Sequence, residues 1–275
     1  MKTNDRPLTD LMNAVDTGAA QLPDFQRGWV WDDGRIRALI LSVIHNFPVG
    51  AAMFLEYGNE SIHFKHKPIE GSGASPNIEP DELILDGQQR LTSLYNALYS
   101  KNPVHTKTDK GKEIERFYYL DIEKALDPSA DDEEVVVSIP ASRQVTSDFG
   151  RKIEKDLSTR QDEFRLKMFP LNIILNSSEE QGWQNEYYAY YNYDPAIIRQ
   201  FTDLFSKIIM PTQKYAVPVI LLDKETPKEA VCQVFENVNT GGVSLTVFEL
   251  VTAIFAMDDF PLRKDWEERK EKYFS

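Results

Sequence analysis

Asp86-Gly87-Gln88-Gln89-Arg90 puts a carboxylate, a glycine, two amides and a guanidinium in five consecutive positions. Leu83-Ile84-Leu85 before it is a short apolar run of the kind a buried strand shows, and Leu91, Leu94, Tyr95, Leu98 and Tyr99 after it recur at helical spacing. The stretch therefore reads as strand, tight turn, helix, with the polar cluster at the turn. A helix start carries unpaired N–H groups and the positive end of the macrodipole, which suits an anion such as phosphate. Gly87 allows close approach of backbone to ligand. Arg90 sits in the first turn, where a bound phosphate relieves its conflict with the dipole and a guanidinium can grip it with two hydrogen bonds. Gln88 and Gln89 can donate to phosphate or ribose oxygens, and Asp86 can hold a metal ion or a water. A purely structural reading stands beside this one: Asp86 as an N-cap, Gly87 as a turn residue and Arg90 in a surface ion pair.

Two further stretches carry matching polar sets. Pro23-Asp24-Phe25-Gln26-Arg27, with Trp31 beyond it, reads as extended chain. Asn239-Thr240-Gly241-Gly242 follows the helical stripe Val231, Val234, Phe235, Val238. That loop can adopt left-handed geometry and present backbone N–H groups as a second phosphate cradle, or simply cap the helix.

Taken together, Pro23 to Arg27 with Trp31, Asp86 to Thr92, and Phe235 to Gly242 with Leu245 resemble the domain-of-unknown-function 262 family. This is the N-terminal domain of GmrSD-type modification-dependent restriction enzymes and related phage-defence proteins. The three motifs keep their order over roughly residues 20–255. The resemblance implies a ParB/sulfiredoxin-like core and a nucleoside triphosphatase, working on GTP, ATP or CTP with Mg2+. In that reading Asp86 positions the metal or the attacking water. Arg90 and the N–H groups around Gly87 hold phosphate, and Gln88 and Gln89 orient water or ribose. Gln26 and Arg27 complete the pocket, and Asn239, Gly241 and Gly242 close its far side. No G-x-x-x-x-G-K-[ST] run is present, so the expected phosphate site is not a P-loop.

The resemblance also implies a role in sensing modified DNA, upstream of an HNH-type nuclease. Such a nuclease carries a histidine-rich metal site. No histidine follows His105, and the chain stops in an apparent helix at Lys270 to Ser275. The nuclease is therefore expected in another domain or subunit. Two other functions stay open. One is a module that binds modified DNA without catalysis, through Trp29, Trp31, Arg35 and Arg37. The other is a ParB-like nuclease, for which no carboxylate cluster at recognisable spacing is visible.

Composition sets outer limits. The 275 residues carry a net charge of −13, which argues against broad coating of nucleic acid but allows a local basic groove. With 41% hydrophobic and 27% charged residues, the chain has the balance of a globular domain. No apolar run approaches the roughly 20 residues of a membrane helix, and the N-terminus lacks the apolar core of a signal peptide; a cytoplasmic protein is the default expectation. The single cysteine, Cys232, excludes an internal disulfide and falls on a predicted helix. His63 and His66 form a lone pair, too few ligands for a closed metal site. Oligomeric state is not legible, and a homo-oligomer stays open.

The expected fold is α+β: a small mixed sheet from strands near residues 21–27, 51–56, 83–86 and 215–222, packed by helices, then a mainly helical portion. The division expected is residues 1–125 with the D-G-Q-Q-R motif and residues 126–275 as its continuation. Pro218 demotes the strand at Tyr215 to Leu222 toward an edge. Lys101 to Glu115 reads as a polar loop, Phe149 to Met168 as a charged helix, and the acid-rich run Asp127 to Glu134 as solvated. Tyr187, Tyr190 and Tyr191 read as core rather than as a stacking platform for bases.

Overall fold

The computed structural model describes residues 2–58, 64–148, 151–227, 230–231, 252, 255, 260 and 262–274. Within them the first helix, α1 (Leu8–Thr17), buries Leu8, Leu11, Met12 and Val15 and ends at Gly18, whose φ of +79° is the left-handed stop that glycine favours. The second, α2 (Asp33–Ile44), starts where the Asp32 carboxylate accepts from the Arg35 N–H at 2.9 Å and buries Ile36, Leu39, Ile40, Val43 and Ile44. Both elements carry an apolar stripe at helical spacing.

Six strands build the main sheet: β1 (Lys2–Pro7), β2 (Ala20–Pro23), β3 (Ala52–Glu56), β4 (His66–Lys67), β5 (Glu82–Asp86) and β12 (Ala216–Leu222), in the order β1-β12-β3-β5-β2-β4. β12 runs parallel to β3 and β5 parallel to β2, whereas β1–β12, β3–β5 and β2–β4 are antiparallel. The sheet is thus mixed, and all four strands expected from sequence share it. Two details differ. β1 (Lys-Thr-Asn-Asp-Arg-Pro) has no apolar alternation and is a strand because β12 supplies a partner edge. β12 is not an edge: it lies between β1 and β3. Pro218 stands opposite Asp5, and pairing with β3 begins only at Val219, so the proline lies outside that ladder.

Strand extends further than expected on both sides of residue 125. The long β7 (Glu113–Asp121) pairs in turn with β6 (Val104–Lys107), β8 (Val136–Pro140) and β11 (Met168–Pro170). Lys101 to Glu115 is therefore largely a hairpin, with Val104 and Thr106 buried, rather than a loop. The charged helix expected over Phe149 to Met168 is instead β10 (Lys152–Asp156), paired with β9 (Gln144–Ser147), and the short α6 (Arg160–Arg165). The reason is local: the Asp156 carboxylate accepts from the Ser158 N–H and hydroxyl, and Thr159 caps α6. Such side-chain bonds to backbone compete with a continuous helix.

Helices α7 (Ser177–Tyr190) and α8 (Pro195–Leu204) close the second layer. Trp183 and Tyr187 are fully buried, as expected of core. Tyr190 departs from that expectation: it is 39% exposed, though its ring still packs on Phe164 at 5.6 Å. All five acids of the run are exposed, including those in the short α5 (Asp132–Val135), which is anchored by buried Val135. No helix among the described residues is long and apolar enough to cross a membrane.

Candidate functional site

Leu83, Ile84 and Leu85 bury β5 and deliver Asp86 at its C-terminal end. Gly87 follows with φ of +90° and is the N-cap of α3 (Gln88–Leu98). A Cβ there would stand 3.2 Å from the Ala52 Cβ and 3.4 Å from its Cα, so glycine answers both the backbone angle and the close pass of β3. Asp86 is therefore not the cap. No side chain caps α3, and its first turn lacks acidic residues.

Each of the next three side chains holds a piece of backbone. The Gln88 Nε2 donates to the Arg27 carbonyl at 2.7 Å. The Gln89 amide is used at both ends: Nε2 donates to the Gly28 carbonyl at 3.1 Å and Oε1 accepts from the Val30 N–H at 2.9 Å. Arg90 donates to the Val49 carbonyl at 2.6 Å and the Ala51 carbonyl at 2.8 Å, and its second nitrogen meets Asp86 Oδ2 at 3.2 Å. From the other side, Gln26 Nε2 donates to the carbonyls of Ile84 and Leu85 at 2.8 and 3.1 Å. The start of α3 thus clamps two connections at once, the 24–31 segment through its glutamines and the 49–51 turn through its arginine.

The structure brings Gln26, Arg27, Asp86, Gly87, Gln88, Gln89 and Arg90 together at this one junction. Gln26 and Gln88 are buried, while the side chains of Asp86 and Arg90 are 36% and 22% exposed. Arg27 is partly exposed, and its guanidinium has no partner among the described residues. Asn239, Gly241 and Gly242, together with Cys232 and His63, lie outside the described residues. Of the cations considered for DNA contact, Arg35 pairs with Asp32 and Arg37 with Asp33, each at 3.4 Å, at the start of α2.

Sequence reasoning missed two participants. Gly50 has φ of +87°, and a Cβ there would lie 2.7 Å from the Arg90 Nη1. The glycine of Pro48-Val49-Gly50 is what lets the guanidinium reach two carbonyls. Glu70 was hidden in a polar loop, and its carboxylate accepts from the Trp29 N–H at 2.9 Å. Gly50→Ala is expected to cost about 1–3 kcal/mol in chemical denaturation, from left-handed strain and displacement of a pinned arginine. An unchanged midpoint would show that the arginine moves freely.

A model of the GmrSD restriction endonuclease N-terminal domain matches residues 8–256. An uncharacterized protein of Methanocaldococcus jannaschii is 29% identical over 276 residues, covering 96% of this chain and 43% of that protein. The chain thus spans less than half the length of that relative. The matched residues take in both the 24–31 segment and the helix start that clamps it, and the chain belongs to the GmrSD restriction endonuclease N-terminal domain family.

Proposed function

We propose that this restriction-system domain binds and hydrolyses a nucleoside triphosphate, and that it thereby controls a nuclease carried by another domain or subunit. The observation that supports this most directly is the start of α3. A left-handed glycine leaves the first-turn N–H groups without a side-chain cap, beside an accessible carboxylate and an unpartnered guanidinium. Oriented N–H groups and the helix dipole favour a phosphate there.

The donor set also suits the metal. Among the described residues, no group of three or more His, Cys, Asp or Glu is placed to hold an ion. Asp86 offers a single carboxylate. That fits Mg2+, which is commonly held through one or two carboxylates with water and substrate phosphates supplying the rest. Bound in that way, Mg2+ supplies neutralisation of phosphate charge.

The chain's own residues divide the remaining work. Arg27 and the N–H groups of Gln88 and Gln89 bind phosphate. Gln88, Gln89 and Gln26 fix the segment that carries Arg27. Arg90 orients Asp86 while anchoring the 49–51 turn. For Gln88, Gln89 or Arg90 to contact a ligand directly, each must release a backbone partner. They are therefore assigned as positioning residues, in place of the direct phosphate and ribose donors expected from sequence.

The test is phosphate release from ATP, GTP and CTP with Mg2+, with and without DNA. Asp86→Asn is expected to lower the rate by on the order of 100-fold with little loss of stability, because the replaced group is partly exposed. Arg27→Ala is expected to weaken nucleotide binding about 10-fold or more. Wild-type protein that neither binds nor hydrolyses any of the three would end this reading.

One observation favours a second reading, a module that binds modified DNA without catalysis. A cavity of about 610 Å3 lies beside the clamped segment, lined by Trp29, Trp31, His105, Lys107, Glu113 and Glu115 among others. Aromatic rings are surfaces on which unstacked bases stack. DNA affinity that is lost in Trp31→Ala and indifferent to nucleotide would move this reading to first place.

A further inference from the structure

About 16 Å along α3 from the glycine turn, taking the helical rise over its eleven residues, the chain reaches a second polar cavity. It has a volume of about 290 Å3 and is lined by Lys101, Arg143, Arg160, Glu163 and Glu179 among others. Three of these charged groups are cations and two are carboxylates. Lys101 and Glu179 satisfy each other at 2.5 Å. Glu163 is 3% exposed, and both its oxygens are engaged: Oε1 accepts from the Tyr119 hydroxyl at 3.2 Å and Oε2 from the Trp183 indole N–H at 2.9 Å.

The two arginines are held differently. Arg143 and Arg160 stand 3.6 and 3.5 Å from Glu163, and Arg160 stands 3.7 Å from Glu186. These are ion-pair separations, longer than an N–H···O hydrogen bond. Neither guanidinium donates a hydrogen bond among the described residues. Each carries five N–H donors in a planar fork. Two partly exposed forks without hydrogen-bond acceptors therefore face one cavity, held by the attraction of buried Glu163 and, for Arg160, of exposed Glu186 as well.

The backbone adds a second, independent sign. Arg143 has φ of +58°, a region that non-glycine residues seldom occupy and that costs on the order of 1 kcal/mol or more. Its N–H donates to the Pro140 carbonyl at 2.7 Å, its carbonyl accepts from the Leu157 N–H at 2.8 Å, and its guanidinium lies 4.7 Å over the Phe117 ring. Glycine would fit this turn with less strain. What an arginine adds is a cation, stacked and aimed.

We propose that this cavity is an oxyanion site, separate from the α3 start, in which Arg143 and Arg160 grip a phosphate group. Paired planar forks suit bidentate recognition of phosphate. Glu163 is the buried counter-charge that keeps the two guanidiniums facing the cavity, with its own lone pairs turned toward Tyr119 and Trp183. The phosphate can be free or the terminal group of a nucleic acid strand.

The experiment titrates inorganic phosphate into the whole chain at constant ionic strength, with chloride as balance, and follows binding by calorimetry and Tm. Wild type is expected to bind saturably and to gain stability with phosphate concentration. Arg160→Gln is expected to weaken that binding at least about 10-fold. So is Arg143→Gly, which removes the guanidinium while relieving the left-handed backbone strain. Arg165→Gln, an exposed neighbour paired to Asp162, is expected to change nothing. A labelled oligonucleotide with and without a 5′-phosphate separates the sources: a gain from the 5′-phosphate that both variants abolish assigns a strand end, and binding of inorganic phosphate alone assigns a free ligand. No saturable binding by wild type, or equal binding by wild type, Arg143→Gly and Arg160→Gln, overturns the proposal.

Discussion

Arg90→Ala is expected to lower the free energy of unfolding by about 3 kcal/mol, seen as a lower denaturant midpoint at unchanged slope. The argument is one of backbone groups. The Val49 and Ala51 carbonyls each accept from the guanidinium, and the Asp86 carboxylate meets the same side chain. Hydrogen bonds to a charged donor contribute about 1.5–3 kcal/mol each, and an acceptor left without a partner carries a further penalty. The side chain is 22% exposed, so water can reach part of the gap, which keeps the expected sum near the lower end. Arg90→Lys is expected to recover less than half, because one ammonium does not reproduce a fork spanning two carbonyls. A stable Arg90→Ala protein would mean that the 49–51 turn holds without the clamp, and would return Arg90 to the list of direct phosphate ligands.

Trp183→Ala is expected to cost about 3–5 kcal/mol. The indole is fully buried and stacks on Tyr187 at 4.9 Å and Phe201 at 5.7 Å, with Phe164 and Phe169 edge-on at 5.1 Å each. Its removal leaves a cavity in a rigid aromatic cluster and takes a donor from buried Glu163. Trp183→Phe separates the two losses. Burial holds the Glu163 carboxyl above the usual carboxylate range, against the pull of the Trp183 N–H, the Arg160 and Arg143 guanidiniums and the Tyr119 hydroxyl. A folded pKa above the unfolded one means that the stability from this group is present in acid and lost as pH rises through the folded value. Removing the indole N–H raises that pKa further. The cost of Trp183→Phe is therefore expected to grow as pH rises through the Glu163 titration and to shrink toward acid. Denaturation at several pH values checks it; a cost that does not vary with pH would mean that the indole N–H does not stabilise the charged form.

How much of this was legible follows local physics. The strands β2, β3, β5 and β12 are written in short apolar runs, and the sequence reading found them. The site residues Gln26, Arg27 and Asp86 to Arg90 were legible as a set because each motif is contiguous. Their partners were not. The clamp joins side chains to carbonyls some 40 and 60 positions away, as in Arg90 to Val49 and Gln88 to Arg27, and carbonyls have no signature in a sequence. β1 and β6 escaped for a related reason: their polar strings are strands only because a neighbouring edge pairs with them. The helix expected after Phe149 failed on the Asp156–Ser158 turn, where short polar side chains outcompete helical bonding.

The place of β12 in the main sheet also sets a timetable. Thr3 pairs with Ile220, and Ala52 with Val219. During synthesis β1 and β3 emerge early, but the strand that joins them is translated last. At about 5–20 residues per second, the ribosome needs roughly 8–33 s to pass from the end of β3 to the end of β12. Until then two strand edges stand open, and open edges invite pairing with other chains. The nascent domain therefore depends on whatever shields those edges during that interval, and its sheet forms by late insertion of one strand rather than by growth from the N-terminus.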